Sequence, residues 1–118
     1  LSPAIAQIGE AGTGLVAPFD PYQVGWSGAR RLLPDIAGHL PGALPDHPVL
    51  FPVGNMFHTR AGVARAMLAL FGPDHPWPNE PLPQDGTVYH LIERLWPAIT
   101  AATGQTAVFF DKPDQPRV

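Results

Sequence analysis

Histidines, arginines and carboxylates are the residues here with the chemistry to act on something outside the chain. His58 stands beside Asn55 and Arg60, just ahead of an apolar run from Ala61 to Phe71. The free amides of a helix start attract anions, and an arginine and an imidazole next to them add charge and donors. Asn55, His58 and Arg60 are therefore the candidate ligand-binding residues, for an anion or a small molecule. The plainer reading is a capping network with His58 packed on Phe57 or Met56. Asp46-His47 and Asp74-His75 pair a carboxylate with an imidazole, a combination that suits a divalent metal. No HExxH and no closely spaced histidine pair accompanies them. They read better as turns that Asp initiates and Pro bounds, so no metal is expected.

His90, Glu93 and Arg94 fall three and four residues apart, which sets them together on one side of a helix. A general acid–base role would need a cleft around them, and the sequence reads instead as a solvated face. Ser27 lies in Gly25-Trp26-Ser27-Gly28, without the Gly-x-Ser-x-Gly spacing of a nucleophile elbow, and reads as a helix cap. Gly9, Gly12 and Gly14 lack the Lys-Ser/Thr that follows a phosphate-cradling loop. No residue is assigned a catalytic role, and no cofactor is implied.

Aromatic residues point elsewhere. Trp77 is framed by Pro76 and Pro78, between His75 and Glu80, in a stretch with prolines at 73, 76, 78, 81 and 83. Such a segment has few backbone donors and favours an extended, polyproline-like path. Trp77, His75 and Glu80 are the candidate partner-binding residues, because tryptophan anchors interfaces out of proportion to its frequency. The alternative is that Trp77 folds back onto the core.

The elements that hold these residues follow from periodicity. Ala61 to Phe71 fits a helix over 60–71, with Thr59 as N-cap and Gly72 past its end. Val63, Ala64, Met67, Leu68, Leu70 and Phe71 form a broad apolar arc. The opposite side holds Gly62, Ala66 and Ala69, with Arg65 as its charge, which predicts a central helix with neighbours on both sides. Residues 87–103 predict the last helix, capped by Thr87, followed by Gly104, and striped by Val88, Leu91, Ile92, Leu95, Ile99 and Ala102. His90, Glu93, Arg94 and Pro97 lie opposite. Ser27 predicts a helix over 28–40, kinked or restarted at Pro34, with Arg31 and Asp35 at ion-pair spacing. Residues 4–19 predict two short strands around a glycine turn, 49–53 a third and 106–110 a fourth.

The 118 residues suit one compact domain over 1–118, with a proline-rich loop at 73–86 and a tail at 112–118. Apolar residues are 45%, enough for a core, whereas charged residues are only 14%, about half the usual share. So lightly charged a surface suggests coverage by a protein partner or a second copy of the chain. The net charge of −3 opposes a general nucleic-acid binder, whose basic stripe would here have to come from Arg30, Arg31, Arg60 and Arg65. Six arginines to one lysine, with abundant Ala, Gly and Pro, is a bacterial-type composition from a GC-rich genome. There is no cysteine, which removes disulfides and thiolate chemistry. No apolar run approaches the roughly 18 residues that span a bilayer, so a soluble, cytoplasmic protein is expected; a removed export signal would leave no trace here. The expected fold is α+β, a small sheet of about four short strands packed with two or three helices. A mostly helical domain is the alternative. The expected function is a non-enzymatic protein-interaction or binding domain. The alternative is an anion or small-molecule binder, or a hydrolase, using the His58/Arg60 helix start and an Asp-His loop.

Overall fold

Leu15, Val16 and Ala17 are apolar in succession, the pattern of a strand covered on both faces. They form the middle of β1 (Thr13–Pro18), buried from Thr13 through Ala17. The computed structural model describes residues 3–40, 44–46 and 50–112. Within these, β1 is the centre of a three-stranded sheet ordered β2-β1-β3. The short β2 (His58–Thr59) runs antiparallel to it, and β3 (Thr106–Phe110) runs parallel. Register slips between Thr13 and Leu15, where Gly14 passes the end of the last helix. A Cβ on Gly14 would sit 2.8 Å from Gln105 Cβ and 2.9 Å from Thr100 Cγ2, so only glycine lets the strand lie this close.

The domain is α+β, with three strands where about four were expected. Residues 4–8, read above as a strand, instead belong to α1 (Pro3–Ile8). Ala-Ile-Ala-Gln-Ile alternates, but Ala and Gln are also good helix formers, and Ile5 and Ile8 stand one helical turn apart. Phe51 and Pro52 are buried yet join no strand; Val49 lies outside the described residues. The Phe51 amide donates to Gln23 Oε1 (3.1 Å), and Gln23 Nε2 donates back to the Phe51 carbonyl (3.4 Å). One glutamine side chain thus occupies the place of a neighbouring strand.

The helix expected over 28–40 is divided. A 3-10 turn covers Ser27–Leu32, and α2 (Leu33–Ala37) restarts with Pro34 in its first turn, where a missing amide costs nothing. Ser27 makes no capping bond and holds φ at 46°. Arg31 donates to the Gly86 carbonyl (2.6 Å) rather than pairing with Asp35. Asp20-Pro21-Tyr22 is the expected turn, its Asp20 carboxylate accepting the Tyr22 amide.

The helix α3 (Ala61–Leu70) forms where the pattern placed it, but its cap is Arg60 in extended conformation. Thr59 is drawn into β2, and its hydroxyl donates to the Gly14 carbonyl (2.9 Å). Val63 and Met67 are buried, while Gly62, Arg65, Leu68 and Ala69 are exposed. Gly62 and Ala69 therefore face solvent, Ala66 is half-buried against the core, and α3 packs on one face only. The element with neighbours on several sides is α4 (Val88–Ala102), which touches β1, β3, α3 and both 3-10 turns. Its ends are those the sequence announces. Thr87 and His90 form a capping box, and Gly104 follows with φ 79°.

The core has two parts. Val88, Leu91, Leu95 and Ile99 of α4 pack with Trp26, Ile36, Val63, Met67 and Phe71. Leu15, Ala17 and Phe109 form the second cluster beneath the sheet, and Trp96 packs against both. Among the described residues no helix is long and apolar enough to cross a membrane.

Candidate functional site

Asn55, His58 and Arg60 lie within one short segment but face separate tasks. Asn55 Oδ1 accepts the Trp96 indole N–H (3.0 Å). His58 is exposed on β2, paired in register with Val16. Arg60 donates from Nε to the Thr13 carbonyl (2.8 Å) and from Nη2 to that of Glu10 (3.2 Å), pinning the turn before β1. No hydrogen bond joins any of the three to another. Arg30 and Arg31 are similarly tied to the carbonyls of Asp46 and Gly86, whereas Arg65 is exposed.

Asp46 and Asp74 are exposed, and His47 lies outside the described residues. Among the described residues no three His, Asp or Glu side chains gather as a metal site would require. His75 stands edge-on between Phe71 (5.3 Å) and Trp77 (5.0 Å). Trp77 stacks on Tyr89 at 5.3 Å and donates Nε1 to the Gly72 carbonyl (3.2 Å). It is half-buried against the main core, and Glu80 is exposed. The proline segment is thereby fastened through its aromatic residues to the ends of α3 and α4.

This fastening leaves an open cleft of about 360 Å³ beneath residues 76–78. Leu32, Ile36, Phe71, Val88 and Leu91 make it apolar, Pro76 and Pro78 overhang it, and Arg31, Asp35 and His75 stand at its border. On the other side of the α4 start lies a second cleft, of about 450 Å³, and its lining mixes polar and apolar groups. Ser27, Asp85, His90, Glu93 and Arg94 line it together with Tyr22 and Phe51. Gly28 and Gly86 bring the two supporting loops together: a Cβ on Gly28 would lie 3.1 Å from Gly86 Cα. At that distance the Gly28 amide donates to Asp85 Oδ2 (3.0 Å).

Arg94 is the residue that the sequence reading misplaced. Read as part of a solvated face, it is only 6% exposed. Its Nη1 donates to Asp85 Oδ1 at 2.7 Å, and its guanidinium lies 5.7 Å from the centre of the Phe51 ring. Its Nε is buried with no acceptor. The available signal was its place three residues after Leu91 and beside Leu95, on the flank of the inner stripe. Partial burial pushes the Asp85 pKa up, but the Arg94 hydrogen bond, the Gly86 and Gly28 amides and the Arg94 charge outweigh it. The net shift is below the ordinary aspartate value, so this carboxylate stays ionised beside its cation. Glu93 Oε2 accepts the Gly54 amide (2.6 Å), which anchors the second 3-10 turn (Val53–Asn55) to α4.

Comparison of the chain with protein-family models, with characterised proteins and with solved structures gave no match, so the two clefts are read from their own geometry.

Proposed function

We propose that this chain is a non-enzymatic binding domain that takes a protein segment into the apolar cleft beneath the proline-rich stretch. The observation that carries this reading is the cleft itself. Five core-type side chains leave an opening of about 360 Å³ toward solvent instead of closing over it. Natural binding sites are concave and largely apolar, with a few polar groups at the edge that orient the ligand. The border supplies these as Arg31 and Asp35, of opposite sign, and the His75 ring. The occupant is an extended peptide stretch that inserts one apolar or aromatic side chain and meets both charges with its flanks. The aromatic run Phe71, His75, Trp77 and Tyr89 holds one wall in place, so binding requires little reordering.

The test is selection of peptides from a random library against the whole chain, followed by titration read through tryptophan emission. His75→Ala and Arg31→Glu should each weaken binding of the selected peptides at least about tenfold, the loss of about 1.4 kcal/mol. Both variants should stay folded by circular dichroism, each melting somewhat lower because Arg31 gives up the Gly86 carbonyl and His75 its contacts with Phe71 and Trp77. Peptides that bind both variants as well as the wild type would place the contact surface elsewhere.

A further inference from the structure

We propose that the outer edge of β3, with the groove beside it, receives a second copy of this chain, whose own β3 adds antiparallel and extends the sheet across a two-fold axis. β3 ends the strand order β2-β1-β3, so among the described residues it pairs with β1 alone. The Thr106 amide donates to the Gly12 carbonyl (2.8 Å), and the Phe110 carbonyl accepts the Phe19 amide (2.8 Å). In a parallel ladder every second residue bonds to the same neighbour. Thr106, Val108 and Phe110 therefore serve β1, and Ala107 and Phe109 turn their backbone N–H and C=O groups outward.

Sheet edges of monomeric proteins are ordinarily guarded by a lysine, a proline, a bulge or a covering element. The stretch Gly104 to Phe110 carries no charge and no proline, and its Thr, Val and Phe are strand formers. A groove of about 450 Å³ lies along this edge, between β3 and the second half of α4. Leu50, Pro97, Ala101, Ala107 and Phe109 line it, and no charged residue among those described does. Its occupant must be extended, neutral along its length and able to offer peptide groups at the matching spacing. β3 itself meets these conditions. The outward residues lie on either side of Val108, so a two-fold axis there sets Ala107 opposite Phe109 of the second copy, and the reverse. Each such pair exchanges both of its N–H···O bonds, and no charge is buried. An interface of this kind is self-complementary and closes at two copies. One strand and a groove make a small contact, so the dimer is weak. The groove shares no lining residue with the apolar cleft beneath residues 76–78, and the dimer does not depend on peptide binding there.

The test is sedimentation of the full chain from about 10 μM to about 1 mM, with amide hydrogen exchange followed at both ends of the series. A monomer–dimer equilibrium is expected. The Ala107 and Phe109 amides should exchange at least about tenfold more slowly in the concentrated sample, while the Thr106 amide, bonded to Gly12 in either state, serves as reference. Ala107→Pro removes one outward donor from each copy and no bond to β1, a position where an edge strand tolerates proline. It should stay folded by circular dichroism and weaken the dimer at least about tenfold. Ala101→Glu, at an exposed position of α4, puts a charge into the groove and should weaken the dimer as well. A chain that stays monomeric throughout the series overturns the proposal, as does a dimer whose Ala107 and Phe109 amides gain no protection. A dimer left as tight as the wild type by both variants overturns it too. If Ala107→Pro fails to fold, the wild-type exchange and Ala101→Glu decide.

Discussion

Replacing Asp85 by Asn tests how the loop before α4 is held. The carboxylate takes an N–H from Arg94 at 2.7 Å and the Gly28 amide at 3.0 Å, across 57 residues of chain. Asparagine has the same shape and keeps one acceptor, so the change removes mainly charge. Breaking a fully buried ion pair costs about 3–5 kcal/mol, whereas an exposed pair contributes about 0–1 kcal/mol. Arg94 is 6% exposed and Asp85 30%, which sets the expected cost between these limits, at about 2 kcal/mol. For a chain of this size that corresponds to a melting temperature lower by about 8 °C. The sign of the pH dependence follows from the depressed Asp85 pKa. Its stabilisation is complete above the unfolded-chain value of about 3.9 and is lost as the pH falls through the lower folded-state value. Urea unfolding at pH 7, 5, 4 and 3 should show a constant gap between wild type and Asp85→Asn down to pH 5, then a narrowing gap. Combining Asp85→Asn with Arg94→Gln should cost less than the two single changes added together. A gap under about 0.5 kcal/mol at pH 7, or one that stays undiminished at pH 3, would refute the placement of a buried cation on this aspartate.

Gly14→Ala drives a methyl group to within 2.8 Å of Gln105 and 2.9 Å of Thr100, and should cost about 2–3 kcal/mol by overpacking. A thermal melt that matches wild type would show that β1 and the end of α4 are farther apart. On α3, Met67→Ala should cost about 2–4 kcal/mol, because Met67 is 4% exposed, while Ala69→Glu on the wet side should change stability by less than about 0.5 kcal/mol. If Ala69→Glu proves as damaging as Met67→Ala, that side is covered by a second copy of the chain, which light scattering across a concentration series would reveal.

Local chemistry alone determined much of this fold. The cap at Thr87, the stripe through Val88, Leu91, Leu95 and Ile99, the stop at Gly104 and the strand after it were all readable from residues within a few positions of one another. So was the restart at Pro34, since a missing amide acts on its own helix. These features depend on hydrogen bonds and periodicities that close within one or two turns. The tertiary structure decided what depends on distant partners. Arg94 becomes an interior cation because Phe51 and Asp85, the latter held in place by the Gly28 amide, converge on it from other parts of the chain. Gln23 replaces a strand for Phe51, 28 residues away, and Thr59 leaves its helix for β1, 45 residues away. The wet side of α3 belongs to the same class: Ala and Gly are tolerated equally against a neighbour and against water, so composition there is silent, and only the packing of α4 shows which side is covered.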